Sequence, residues 1–161
     1  MPKLYIMCGP SGCGKSTWVH KFMEENPQVI YVSRDAIRYS IVAENEEYFK
    51  REREVFKQFA STITDALMAG SDVIADATHL NQFSRRKLTQ TIDMRFQDYE
   101  IAIVVMMLDM NECLARNALR EGRAKVPELA IKHMYDDFRQ PEFDEDERIT
   151  EIINGREWYN E

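Results

Sequence analysis

The sequence predicts an α/β fold of three layers, a parallel sheet of four to five strands flanked by helices. Three observations carry this expectation. Short apolar runs alternate with longer amphipathic segments along the 161 residues, the pattern of βαβ units. The first apolar run, Leu4 to Cys8, enters a glycine-rich turn and then a helix-like segment. The run Ile101 to Leu108 is almost wholly apolar, as expected of a strand covered on both faces.

Each element has its own signal. After Leu4–Cys8, the stretch Lys15 to Glu25 reads as a helix with Trp18, Val19, Phe22 and Met23 on one face, stopped at Asn26-Pro27. Val29 to Val32 reads as a second strand. Ser33 is a predicted N-cap for a short helix from Asp35 to Val42. Glu44 to Ala69 reads as one long helix, with Phe49, Glu52, Phe56, Phe59, Ile63 and Leu67 at steps of mostly three and four and Gly70 as terminator. The charged residues of Glu46 to Lys57 read as its solvated face.

Asp72 to Ala75 is the third expected strand, ending in Asp76. Asn81 caps the next helix, whose core face is Leu88, Ile92 and Phe96. After the fourth strand, Asn111 to Leu119 is helical and Gly122 breaks it. Pro127 opens a helix running to about Phe138. Ile149 to Ile153 is a candidate edge strand. The expectation is a single domain over residues 1–161, with an arginine-rich lid at about 111–127 and an acidic segment at 140–161.

Charge and cysteine usage narrow the class. The formal net charge is −7, which argues against a general nucleic-acid-coating surface. The distribution is uneven: residues 140–161 hold eight acids against Arg148 and Arg156, and Arg116, Arg120, Arg123 and Lys125 form a local basic run opposed only by Glu121. Cys8, Cys13 and Cys113 match neither a zinc nor a disulfide framework, so a reducing, cytoplasmic setting is expected. No membrane partner is expected, because no apolar run approaches the roughly 18 residues of a span. The Met-Pro-Lys start leads straight into a strand and does not read as a signal peptide. Nothing specifies an oligomer.

The strongest motif is Gly9-Pro10-Ser11-Gly12-Cys13-Gly14-Lys15-Ser16-Thr17, with the phosphate-loop spacing Gly-x4-Gly-Lys-Ser. A triphosphate requires many converging donors. Glycines allow backbone N–H groups to turn inward, the following helix adds its positive end, Lys15 supplies a mobile charge, and Ser16 offers a hydroxyl to Mg²⁺. ATP with Mg²⁺ is the expected ligand, and the fold becomes a P-loop NTPase or kinase fold. Cys13 reads as a small residue in a tight turn, with a redox role as the alternative.

In a parallel sheet ligands sit at the carboxyl ends of the strands. That edge collects the loop at Gly9, Arg34-Asp35, Asp76-Ala77-Thr78 and Asp109. Asp35 and Arg38 share a helix face; a general base and an acceptor-anion clamp is one reading, and a helix-start carboxylate with a surface ion pair is an equal one. Asp76 has the Walker-B position for Mg²⁺, with a turn role as the alternative. Arg120 and Arg123 lie in a segment able to close over a nucleotide, or to end a solvated basic helix. His79 beside the turn reads as structural.

Four stretches resemble the polynucleotide 5′-hydroxyl kinase family, especially its phage-type members: Gly9 through Trp18, Ser33-Arg34-Asp35-Ala36-Ile37-Arg38, Ala75-Asp76-Ala77-Thr78-His79-Leu80-Asn81 with Arg85-Arg86, and Arg116-Asn117 through Val126-Pro127 with Met134-Tyr135. The resemblance implies phosphoryl transfer from ATP to the 5′-hydroxyl end of DNA or RNA. It implies Lys15 and Ser16 on phosphates and Mg²⁺, Asp35 as general base, Arg38 on the acceptor's 3′-phosphate, Asp76 at the ligand edge and Arg120 on the ATP phosphates, with Arg123 a further basic lid position. Thr78-His79 departs from the Thr-Asn frequent in relatives. A second phosphatase or ligase domain, as some relatives carry, is not expected. A kinase for a small molecule or sugar nucleotide is the alternative. A switch ATPase is a further one, although neither Asn-Lys-x-Asp, Asp-x-x-Gly nor a transporter-type Leu-Ser-Gly-Gly string occurs.

Overall fold

The computed structural model describes residues 1–156, apart from the Arg123 side chain. Its strands are β1 (Lys3–Cys8), β2 (Ile30–Ser33), β3 (Val73–Asp76), β4 (Glu100–Val105) and β5 (Ile149–Asn154). Its helices are α1 (Lys15–Glu25), α2 (Arg34–Ile41), α3 (Glu52–Met68), α4 (Gln82–Asp93), α5 (Met110–Ala118) and α6 (Glu128–Asp137). All five strands run parallel in the order β2-β3-β1-β4-β5. The expected three-layer α/β architecture is the one observed, with five strands.

Alternation along β1 divides the core into two layers. Leu4, Ile6 and Cys8 point to one face, where Phe59, Ile63 and Leu67 of α3 and Leu88 and Ile92 of α4 cover them. Met7 points to the other, against Trp18 and Val19 of α1, Cys113 of α5 and Ile131 of α6. β4 divides in the same way, with Ile101 and Ile103 on the first face and Val104 on the second, and it is buried on both. A period of two with both faces apolar is what helices above and below a parallel sheet require.

Most boundaries shift by one residue from the sequence expectation, and three differences bear on the site. The long helix begins at Glu52, not Glu44, because residues 44–51 form turns in which the Glu46 carboxylate accepts the Ala43 N–H and pairs with Arg51. Phe49 therefore leaves the apolar stripe and stands 49% exposed. β4 stops at Val105, and Pro127 is the N-cap of α6 instead of its first residue. The acidic segment is partly structural: Glu145 pairs with the buried Arg85 at 2.7 Å, and Asp146 with Arg148 at 2.8 Å. Its residues 157–161 lie outside the described residues.

Candidate active site at the carboxyl edge of the sheet

The phosphate loop leaves β1 and returns as α1. Gly12 and Gly14 have φ of 86° and 85°, backbone that a side chain disfavours. A Cβ on Gly9 would overlap the Met106 carbonyl oxygen, so the loop's close approach to the β4 exit requires glycine there. The Gly9 N–H donates to Thr78 O at 2.9 Å, which fastens the loop to the exit of β3. Lys15 Nζ donates to Gly9 O at 2.5 Å and Pro10 O at 3.3 Å, folded over the loop it is expected to serve.

A cavity of about 170 Å³ lies over this loop, walled by Ser11, Lys15 and Ser16 below and by Arg116 and Arg120 opposite. Arg116 and Arg120 come from α5 and the turn after it. Arg120 Nη1 donates to Ala124 O at 3.4 Å. The segment after α5 is clasped by Asn117, only 3% exposed, whose amide donates to Val126 O at 2.7 Å and accepts from Val126 N at 2.9 Å. Of the predicted lid cations, Arg120 reaches the cavity, and the Arg123 side chain lies outside what the structure describes. Arg116 lines it too.

A second cavity, about 210 Å³, opens on the far side of Lys15 and is walled by Arg34, Arg38, Tyr48, Phe49 and Glu52. The two cavities share Ser11, Lys15, Asp35 and Asp76 as common wall. Strand register explains part of this meeting. Ser33 pairs with Asp76, and the Ser33 hydroxyl caps α2 by accepting Ala36 N, which sets Asp35 at the helix start beside Asp76. Asp109, also expected at this edge, serves otherwise: its carboxylate caps α5 by accepting Asn111 N at 3.0 Å.

Arg38 is 5% exposed and its guanidinium is engaged on three sides. Nε and Nη2 donate to the Glu52 carboxylate, and Nη1 donates to Asp35 at 2.5 Å and to Tyr48 at 3.3 Å. Tyr48 in turn donates to Asp35 at 3.1 Å, and the rings of Tyr48 and Phe49 lie 4.7 and 5.4 Å from the guanidinium carbon. Glu52 also takes Arg34 Nη2 at 3.0 Å. Burial pushes the Glu52 carboxyl up, but Arg38 and Arg34 outweigh it and hold the group below its ordinary range. Glu52 is not among the expected site residues; its signal in the sequence is a lone carboxylate in an otherwise apolar stripe, with Arg34 and Arg38 upstream.

Asp76 accepts from the Tyr31 hydroxyl. Burial raises its pKa above the ordinary carboxylate value, against the opposing pull of Lys15 and Tyr31. Among the described residues, no three His, Cys, Asp or Glu side chains cluster as a metal site. The donor set does fit Mg²⁺ in another way. Ser16 and Asp76 line the same cavity and offer oxygen, the hard donor that Mg²⁺ takes together with water and substrate phosphates.

His79 lines neither cavity. It is buried at φ 41°, in the left-handed region that His tolerates better than most residues, with Nδ1 2.8 Å from Met7 O. Burial drives its pKa down to about 3, so the ring is neutral.

A family model described as AAA domain matches residues 4–141. The chain belongs to the AAA domain family. Solved structures share the fold of this AAA domain. A chain of the Pnkp1/Rnl/Hen1 RNA repair complex is 24% identical, with a TM-score of 0.72 over 84% of this chain and 43% of its own. A fungal RNA kinase is 16% identical, with a TM-score of 0.68 over 95% of this chain and 38% of its own. A sugar kinase from Janibacter sp. HTCC2649 is 17% identical, with a TM-score of 0.67 over 97% and 86%. The AAA domain thus spans less than half the length of the two RNA-related chains and nearly all of the sugar kinase. The family model gives the AAA domain and the solved structures give the fold. Among the described residues, no helix of this AAA domain is long and apolar enough to cross a membrane.

Proposed function

We propose that this AAA domain is an ATP-dependent polynucleotide kinase that phosphorylates the 5′-hydroxyl end of DNA or RNA. One observation carries the reading: a phosphate-loop cavity and an acceptor cavity share Lys15, Asp35 and Asp76 as a common wall, so donor and acceptor meet across three groups suited to phosphoryl transfer. The similarity to a chain of an RNA repair complex and to an RNA kinase supports the choice of acceptor.

In this reading the loop N–H groups and Lys15 hold the β- and γ-phosphates, and Arg116 and Arg120 neutralise charge on the transferred group. The Asp35 carboxylate takes the proton of the acceptor hydroxyl as its oxygen attacks phosphorus and ADP leaves. Arg38 binds the acceptor's 3′-phosphate through Nη1, the side now shared by Asp35 and Tyr48. A phosphate there frees Asp35 for the proton. Ser16 and Asp76 would hold Mg²⁺, which would supply charge neutralisation on the phosphates.

The test is transfer of labelled γ-phosphate to a 5′-hydroxyl oligonucleotide. The expected result is label on the 5′ end, inhibited by a nucleoside 3′-phosphate. Intact ATP binding with no labelled oligonucleotide rules the acceptor out. The sugar kinase of matching length makes a small hydroxyl compound the second reading, distinguished by indifference to the nucleoside 3′-phosphate.

A further inference from the structure

We infer that Cys13 and Cys113 form a reversible disulfide under hydroperoxide and that this bond switches the phosphate loop off. The inference rests on the loop's role as a nucleotide site.

Cys13 lies in the loop and Cys113 in α5, a hundred positions later, yet both converge on one phenol. The Tyr135 hydroxyl stands 2.7 Å from Cys113 Sγ and 3.5 Å from Cys13 Sγ. Its single proton goes to Leu108 O, also at 2.7 Å, so the phenol oxygen remains an acceptor for a thiol. The backbones are in contact as well: a Cβ on Gly12 would stand 2.9 Å from Cys113 O and 3.6 Å from Cys113 Cα. Both cysteines are free, and both are buried between α1, α5 and α6.

The chemistry balances. The Cys13 thiolate attacks the peroxide oxygen, giving a sulfenic acid and an alcohol or water. The Cys113 thiol then attacks that sulfur, and water leaves. Two thiols are oxidised to one disulfide while one hydroperoxide is reduced. An S–S bond is about 2.05 Å long, so the two sulfurs must draw together past the phenol oxygen that both now contact. Closing that gap cannot be a rigid approach of the loop, because Gly12 already abuts the Cys113 carbonyl. The loop must deform, α5 must shift with Arg116, and Tyr135 loses a partner. Nucleotide binding and cross-linking therefore oppose each other, and by linkage ATP should slow the oxidation. The third thiol, Cys8, lies against Arg85 Nη1 at 3.5 Å, away from this pair, and serves as an internal control.

The experiment treats the intact chain with hydrogen peroxide, alkylates it in denaturant, and maps the peptides by mass spectrometry. The expected product joins the loop peptide to the α5 peptide, leaves Cys8 alkylated, and reverts with dithiothreitol. The linked form should bind ATP about tenfold or more weakly than the reduced form, while Cys113→Ser should bind ATP equally before and after peroxide. Three alkylatable thiols after treatment, sulfinic acid on Cys13 without a linked peptide, or unchanged ATP affinity in the linked form would each overturn the inference. Mapping on the wild-type chain decides the matter even where Cys113→Ser folds poorly. A reduced chain that forms the bond but never binds ATP refutes the nucleotide reading and leaves the disulfide standing.

Discussion

The Arg38 guanidinium meets the Glu52 carboxylate through two parallel hydrogen bonds, Nε to Oε1 at 2.7 Å and Nη2 to Oε2 at 3.0 Å. A buried cation held in this way keeps one orientation. Glu52→Ala leaves Arg38 buried without its main partner, and a loss of about 2 kcal/mol in urea unfolding is expected, toward the low end because Glu52 is 31% exposed. Glu52→Gln retains the shape and should lose less. Equal midpoints for wild type and the alanine variant contradict the pairing.

Asp35→Asn removes the proposed proton acceptor and leaves the loop untouched. Phosphoryl transfer should fall by about 10²–10⁴-fold, with ATP affinity by calorimetry within a factor of about two. Transfer near the wild-type rate removes Asp35 from the role of base.

Gly9→Ala tests the close approach of loop and strand. The methyl group has no room beside the Met106 carbonyl, which is backbone and yields poorly. The variant should lose about 1–3 kcal/mol of stability and most of its ATP binding. Gly70→Ala, at φ 89° with nothing within 4 Å, is strained by backbone alone and should leave ATP affinity unchanged.

His79 gives a pH signature. Its folded pKa, about 3, lies below the unfolded value of 6.5, so the unfolded chain binds the proton more readily between them. Its contribution to stability is complete above 6.5 and is lost as the pH falls toward 3, by at most about 1.4 kcal/mol per pH unit. His79→Asn keeps a side chain suited to positive φ and should show a flatter acid limb in denaturant titrations. Parallel curves for the two proteins would contradict the assignment of that slope to His79.

Tyr31→Phe removes the hydroxyl that supports the Asp76 carboxylate. Asp76 then ionises less readily, and the Mg²⁺ concentration for half-maximal phosphoryl transfer should rise about threefold to tenfold. No change in the Mg²⁺ requirement dissociates Tyr31 from the proposed Mg²⁺ position.

The sheet was legible because period-two alternation and continuous apolar runs report burial directly, as at Ile101 to Val105. The loop was legible because Gly9, Gly12 and Gly14 answer to backbone geometry that few residues adopt. Residues 44–51 were not, since Tyr48 and Phe49 keep helical spacing while serving as a lining for Arg38. The engagement of Arg38 with Glu52 crosses a turn whose path no local pattern encodes. Asn117 was equally opaque: its clasp on Val126 closes over nine residues, and an asparagine near a helix end ordinarily signals only a cap.

The strand order has a consequence for how such a site changes over time. β1, bearing the phosphate loop, stands in the middle of the sheet, while β2 with α2 and the turns before α3 stand at its margin. The margin supplies Arg34, Asp35, Arg38, Tyr48 and Phe49, most of the outer wall of the second cavity. A peripheral segment tolerates replacement without disturbing the layers beneath it. Under the proposed function, the triphosphate half is the one the middle of the sheet holds fixed, and the hydroxyl half is the one open to exchange.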